Sequence, residues 1–273
     1  MIDTHCHLTF DELFSRIDAV LRSAADHGVD RMITVATTTE NATESLALAR
    51  AHPNVFCTAG VHPLYADQPY DWSVLAEVGS DPNCVAWGEL GLDAHYDHPP
   101  FDLQISVLEA QLAELQSLDV ATDAGRSKPI VIHCRKAVEP LLAILRSSTF
   151  DPASFVFHCF TGTPEDARLV LDFGAMISFT GIVTFRNATE IAKASDLVPL
   201  DRLMVETDAP FLTPEPHRTT RPNEPKFVVC VAEYLAQRRG IALSDFIAAV
   251  DANAERFFRL PPPDSPTPAH SLR

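Results

Sequence analysis

The sequence of 273 residues predicts an α/β protein, a single (β/α)8 barrel. Three observations predict it. Eight short apolar runs rich in Val, Ile and Phe recur along the chain. Stretches with helical spacing of apolar residues separate them. Histidines and carboxylates fall at the carboxyl ends of several runs, where a barrel gathers its functional groups on one rim. An open doubly wound sheet shares the alternation, and only the third observation separates the two. The hydrophobic fraction of 46% is enough for a large core, and barrels of about 250 residues commonly form one domain.

The first run is MIDTHCH, residues 1–7, in which His5 and His7 face one side of an extended strand and Cys6 the other. A helix is expected over 11–26, with Leu13, Ile17, Val20, Leu21 and Ala24 as its apolar stripe. Thr9 and Glu12 have capping-box spacing before it, and Gly28 is its stop. The later strands are expected at 32–35, 55–59, 85–87, 130–132, 155–157, 176–179 and 203–205. Between them lie helices at 39–51, 71–78, 102–118, 137–145, 164–173 and 187–195, and two more, 224–239 and 244–258, close the domain. The helix at 164–173 is the best marked, with Thr163 as N-cap, Pro164 at the first helical position and Gly174 just past the end. Residues 1–260 are thus read as the barrel, and the proline-dense stretch 261–273 as a disordered tail.

Composition excludes several classes. A formal charge of −16 disfavours general, salt-driven binding to a phosphate backbone, so a phosphate-handling site here needs local cations or metal ions. The six cysteines include no CxxC pair and sit mostly in apolar runs, which reads as buried free thiols of an intracellular protein, cytoplasmic or nuclear. No apolar run approaches the ~20 residues needed to span a membrane. A cleavable targeting peptide does not fit, because the first seven residues already read as strand and site.

His5 and His7 end the first strand, Glu89 follows the fourth, His133 and His158 end the fifth and sixth, and Asp208 follows the eighth. Each histidine alone has even odds of being a core imidazole bonded to a carbonyl. Six ligand-type residues in register at strand ends are hard to attribute to chance. Four imidazoles and two carboxylates exceed the needs of one tetrahedral ion and point to two divalent ions sharing a carboxylate. Such a pair implies hydrolysis. A nitrogen-rich shell suits Zn, Mn, Fe or Co on softness grounds, whereas Mg prefers oxygen and water; Mg, Mn and Zn are the candidates carried forward.

The series THCH, GVHP, GELGLD, IHCRKA, HCFTG, SFTGIVTFRNA, ETDAPFL and RPNEP, in that order over residues 1–258, resembles the TatD family of metal-dependent deoxyribonucleases in the amidohydrolase superfamily. The resemblance implies that His5, His7, Glu89 and Asp208 hold one metal and that Glu89, His133 and His158 hold the other. It implies too that Asp208 orients or deprotonates the attacking water, and that His62 and Arg135 contact the scissile phosphate. Read as bare residues, His62 is a turn histidine before Pro63 and Arg135 a surface arginine on the rim.

Glu206 is either a partner of a ligand or half of a structural ion pair with a lysine or arginine. Asn223 and Glu224 read as a helix N-terminus, and Arg218 and Arg221 as solvated loop arginines or as a source of positive charge for the rim. The chain departs from the family after GLD, where His95, Tyr96 and His98 stand in the run AHYDHPP, and in the long joint 119–128, expected as an exposed loop far from the rim. The resulting expectation is a deoxyribonuclease acting exonucleolytically on single-stranded DNA ends. The alternative is a metal-dependent acyl-ester hydrolase such as a D-aminoacyl-tRNA deacylase; a non-catalytic scaffold would not need the full ligand set. Protein partners are not legible in the residues.

Overall fold

A computed structural model describes residues 1–121 and 128–261. Eight parallel strands follow one another around a barrel: β1 (Ile2–Cys6), β2 (Arg31–Thr34), β3 (Val55–Ala59), β4 (Cys84–Asp93), β5 (Ile130–Arg135), β6 (Phe155–Phe157), β7 (Met176–Phe179) and β8 (Leu203–Val205). The circle closes past the end of β8, where Asp208 N donates to His5 O at 2.9 Å and His7 N to Ala209 O at 2.7 Å. Closure therefore draws the segment after β8 against the end of β1, and Asp208 arrives beside the two histidines.

The helices are α1 (Asp11–Phe14), α2 (Ile17–Asp26), α3 (Thr39–Ala51), α4 (Trp72–Ser80), α5 (Phe101–Ala121), α6 (Val138–Ser147), α7 (Pro164–Phe173), α8 (Thr189–Leu197), α9 (Val228–Arg239) and α10 (Leu243–Phe258). They cover the outside, and the main core lies between them and the strands. A second cluster, with Ile2, Ile33, Phe56, Val131, Val156, Met176 and Met204, fills the barrel interior and is capped by Phe258 and Leu260 at the end of α10. With the lower interior packed by apolar side chains, polar groups are left only the upper rim.

α7 carries the caps its sequence announces: Thr163 and Asp166 form a reciprocal capping box, and Gly174 takes the left-handed conformation at φ 113°. The helix expected over 11–26 breaks into α1 and α2 at Ser15 and Arg16, where the Arg16 guanidinium reaches Glu224 at 2.8 Å. The Thr9–Glu12 capping box does not form, because the Thr9 hydroxyl accepts instead from Asn41 Nδ2 at 2.7 Å. α9 starts four residues later than expected, after a 3-10 turn over Pro225–Phe227, and α10 one residue earlier. Asn223 caps no helix; its amide spans the loop after β8 and donates to Thr207 O and Phe211 O.

β4 and β5 run further toward the rim than their apolar cores suggest, so Glu89, His133 and Arg135 lie within strands. Gly91 permits this. A Cβ there would stand 1.9 Å from His133 O, so only glycine lets β4 pass this close to β5 at the height of the site. Three pairings shift register, β3 with β4 between Cys57 and Thr58, β1 with β2 between Asp3 and Cys6, and β4 with β5 between Trp87 and Leu90, and the last two irregularities bracket His5 and Glu89. Such shifts re-aim side chains near sites. The joint 119–128 lies largely outside the described residues, but Lys128 binds the carbonyls of Gly79, Asp81 and Cys84 at the end of the barrel opposite the rim. The tail from residue 262 onward also lies outside them.

Candidate metal centre

Strand ends bring six side chains onto one floor. His5 and His7 arrive from β1, Glu89 from β4, His133 from β5, His158 from the residue after β6, and Asp208 from the turn that closes the barrel. Asp208, Cys159 and Lys136 all have left-handed backbone at φ 54°, 43° and 56°, within three residues of the ends of their strands. Backbone held in this region by non-glycine residues is strained and collects at functional sites.

In the first group, His5 Nε2 lies 3.4 Å from His7 Nε2, 3.4 Å from Glu89 Oε2 and 3.7 Å from Asp208 Oδ1, and His7 Nε2 lies 3.3 Å from Asp208 Oδ1. An ion binding nitrogen and oxygen tetrahedrally at about 2.0–2.2 Å holds its ligands about 3.3–3.6 Å apart. Three of these four pairs already have that spacing, and His5–Asp208 is slightly wider.

The second group forms around the other oxygen of the same carboxylate. Glu89 Oε1 is 2.7 Å from His133 Nδ1, 2.6 Å from His158 Nε2 and 3.3 Å from His62 Nε2. His158 Nε2 is buried and close to Glu89, yet out of line for a hydrogen bond. An orphaned imidazole nitrogen pressed against a carboxylate marks a place that lacks a third, positive partner. The donor types of each group suit a divalent cation; in the second group the 2.6 and 2.7 Å contacts of Glu89 Oε1 are those of ion pairs, closer than two ligands of one ion stand.

The remaining ring nitrogens decide which histidines can be ligands. His7 Nδ1 donates to Val35 O at 2.9 Å, His158 Nδ1 to Glu206 at 3.3 Å, and His133 Nε2 to Asp93 at 3.0 Å. Each bond fixes a proton on the outer nitrogen and leaves the inner one to face the cluster. His62 is the reverse case. Its Nδ1 accepts from Leu64 N at 3.0 Å, so in the neutral ring the proton sits on Nε2, the nitrogen that faces the cavity. Burial pushes its pKa down to about 4, so the ring is neutral and presents a donor, which suits an oxyanion; the same ring also gathers with Glu89 and His133 in a group that could hold an ion.

Burial opposes the charge of Glu89, but His158, His62 and the hydrogen bond from His133 outweigh it and hold the carboxyl well below its usual range. Asp208 is lowered likewise, against burial, by His7. The histidines divide: burial lowers His5, whereas His7, His133 and His158 are raised despite burial by Asp208, by Asp93 with Glu89, and by Glu89 with Glu206 respectively. In the metal-free protein, protons on the raised rings occupy the places a cation would take.

Two partners complete the shell. Glu206 binds His158, Cys159 N at 2.6 Å and Ser178 Oγ at 2.6 Å, and among the described residues no lysine or arginine pairs with it. Of the two readings, the ion pair with a lysine or arginine does not form among the described residues, and Glu206 partners His158 instead. Asp93 was assigned no role in the sequence reading; the signal was the period of two along β4, which puts residues 89, 91 and 93 on one face.

Above the floor opens a cavity of about 1020 Å³. Arg135 and Lys136 line it, and the Arg135 guanidinium lies 5.3 Å over the ring of Tyr96, one of the residues that depart from the family run. His95 lines it too, while His98 pairs with Asp67 at 2.8 Å outside. Arg218 and Arg221 stay off the cavity: Arg218 stacks 3.6 Å over Phe185, and Arg221 ties the loop through Thr213 and two carbonyls. The described cysteines are all free, and Cys6, Cys57 and Cys84 are buried. Among the described residues, no helix is long and apolar enough to cross a membrane.

A model of the family described as TatD related DNase matches residues 2–259. The chain is 38% identical over 265 residues to YcfH of Escherichia coli strain K12, named an uncharacterized metal-dependent hydrolase, across 95% of this chain and 96% of that one. It is 34% identical over 271 residues to a protein of Erwinia tasmaniensis named 3'-5' ssDNA/RNA exonuclease TatD, across 95% and 100% of the two chains. Among solved structures, YJJV, a TatD homologue from Escherichia coli K12, superposes with a TM-score of 0.85 at 28% identity over 96% of this chain and 98% of the other. With the match running the length of the barrel and metal-ligand side chains gathered on its rim, the chain belongs to the TatD-related DNase family of metal-dependent hydrolases.

Proposed function

We propose that the protein is a deoxyribonuclease that hydrolyses phosphodiester bonds through a binuclear centre, acting exonucleolytically on single-stranded DNA ends. In this reading His5, His7, Glu89 and Asp208 hold one divalent ion, and Glu89, His133 and His158 the other, with Mg, Mn and Zn as candidates. The observation that carries the reading is the carboxylate of Glu89, whose Oε2 faces the His5 ring nitrogen while Oε1 faces those of His133 and His158. The bound ions supply an acidified water and offset charge on the phosphoryl oxygens.

The chain's own residues supply the rest. Asp208 is ionised at neutral pH, so it accepts the proton of the attacking water and fixes its direction. His62 donates Nε2–H to a non-bridging phosphate oxygen, held in that tautomer by Leu64 N. Arg135 and Lys136 give the cavity local positive charge on a chain of net charge −16. A short single-stranded end needs no more than that. The free thiols support a cytoplasmic or nuclear location.

Two substitutions separate these roles. His62→Ala is expected to lower kcat/KM by about 10²–10³, the cost of one oxyanion donor, with bound metal unchanged. Loss of metal in that variant, read by elemental analysis, would make His62 a ligand. Asp93→Ala removes the acceptor that orients His133 and is expected to weaken metal affinity by about 10–100-fold. Competition with a chelating dye measures it, and an unchanged affinity would leave Asp93 a structural role only.

The direct test is a time course on end-labelled single-stranded DNA, using metal-stripped protein with Mg, Mn or Zn restored. A metal-dependent ladder supports the nuclease. Intact DNA together with release of amino acid from aminoacyl-tRNA would replace it with the acyl-ester hydrolase.

A further inference from the structure

Phe211 is a large apolar side chain left in the open, 48% exposed, on the wall of the cavity. Its exposure is built in. The loop after β8 is pinned from below by Asn223, whose amide donates to Thr207 O at 3.0 Å and to Phe211 O at 2.5 Å. Phe211 N donates to Asp208 O at 2.9 Å, and the next residue, Leu212, turns the chain away at φ 60°. The backbone of Phe211 is thus held on both sides, and its ring cannot sink into the core without breaking these bonds.

The ring also belongs to a stack that leads to the metal centre. Phe10 lies 4.8 Å from His7 at an interplanar angle of 20°, and Phe211 meets Phe10 edge to face at 6.0 Å. From Phe211 to His7 the centroids are 6.3 Å apart, about the reach from a phosphate to its own nucleobase. A rigid aromatic face beside a phosphodiester site is a stacking platform, and stacking accepts any base because every base has a π-face.

We propose that Phe211 is the base-stacking residue of the site, receiving the nucleobase next to the scissile phosphate, with Phe10 as its backing. The proposal rests on the nuclease reading and adds what selects the substrate. Affinity would come from a splayed, unpaired base and not from its sequence, since no hydrogen-bonding side chain is needed on that wall. A base held in duplex has no free face to offer, so a paired end is a poor substrate.

The test crosses two perturbations. Short single-stranded DNAs are prepared complete or with abasic residues at both ends, and each is cleaved by the metal-loaded wild type, Phe211→Ala and Phe211→Trp. Loss of the base and loss of the ring should each raise KM by about 5- to 150-fold, and the two together by no more than either alone. Tryptophan should restore the complete substrate and not the abasic one. Metal content and melting temperature establish that each variant folds, and Phe211→Leu, which keeps the bulk but not the flat face, stands in if alanine does not.

In parallel, 2-aminopurine at the DNA ends reports stacking by fluorescence quenching without turnover. A Phe211→Ala enzyme that distinguishes complete from abasic ends as well as the wild type overturns the proposal while the nuclease stands. Wild type that cleaves no DNA overturns the nuclease; quenching that depends on Phe211 then still supports the platform, and no quenching overturns both.

Discussion

Replacing Glu89 by glutamine is expected to lower turnover on single-stranded DNA by about 10⁴-fold, equivalent to about 5 kcal/mol of barrier. Glu89 approaches both groups of donors: Oε2 faces His5 and Oε1 faces His133 and His158. Glutamine keeps the shape but exchanges one oxygen for an N–H2 group that cannot bind a cation. Bound metal should fall by at least one ion per chain in elemental analysis. The fold should survive, because Glu89 sits above the apolar interior packed by Ile33, Val131 and Met204, and not within it. A single cooperative melt, shifted down, is therefore expected. Breaking a buried charge pair costs about 3–5 kcal/mol, and here His133 and His158 lose the carboxylate that keeps them protonated. Full activity in this variant would remove Glu89 from the bridging role.

The barrel was legible because its strands are continuous apolar runs and its best-capped helix, α7, uses side chains that signal locally. The failures have one cause, which is that long-range partners overrule local spacing. Thr9 had capping-box spacing, but Asn41, far along the chain, claimed its hydroxyl. Asn223 and Glu224 read as a helix N-terminus; Glu224 is the N-cap of the 3-10 turn before α9, whereas Asn223 is the pin of the β8 loop. At the site, residue types at strand ends identified the six side chains that the rim brings together, since parallel strands in a barrel all deliver their ends to one face. Tautomers were not legible. That His62 presents N–H while His133 presents a lone pair depends on Leu64 N and Asp93, contacts set by the turn after β3 and by the extra length of β4.

Those same protonation states give the second large effect, on stripping the metal. A ligand at a thousand times its Kd stabilises a fold by about 4 kcal/mol, which for a chain of this size raises Tm by about 8–16 °C. The gap between loaded and stripped protein should widen with pH. In the stripped protein His7, His133 and His158 are raised, so the stability they contribute is complete below the ordinary imidazole pKa of about 6.5 and is lost as pH rises through their folded values. Glu89 and Asp208 are depressed, so their contribution is present above the ordinary carboxylate range and is lost only as pH falls through their folded values, in acid. Between pH 6 and 8 the stripped form therefore weakens. The loaded form needs neutral imidazoles, so over the same interval it strengthens. Metal uptake at pH 6 should release protons from these three rings and none from His62, which is already neutral. Calorimetry in buffers of different ionisation enthalpy counts those protons, and scanning calorimetry at the two pH values reads the gap. A gap that narrows toward pH 8 would mean that cations do not displace the protons on His7, His133 and His158, and the ligand set would have to be sought elsewhere on the rim.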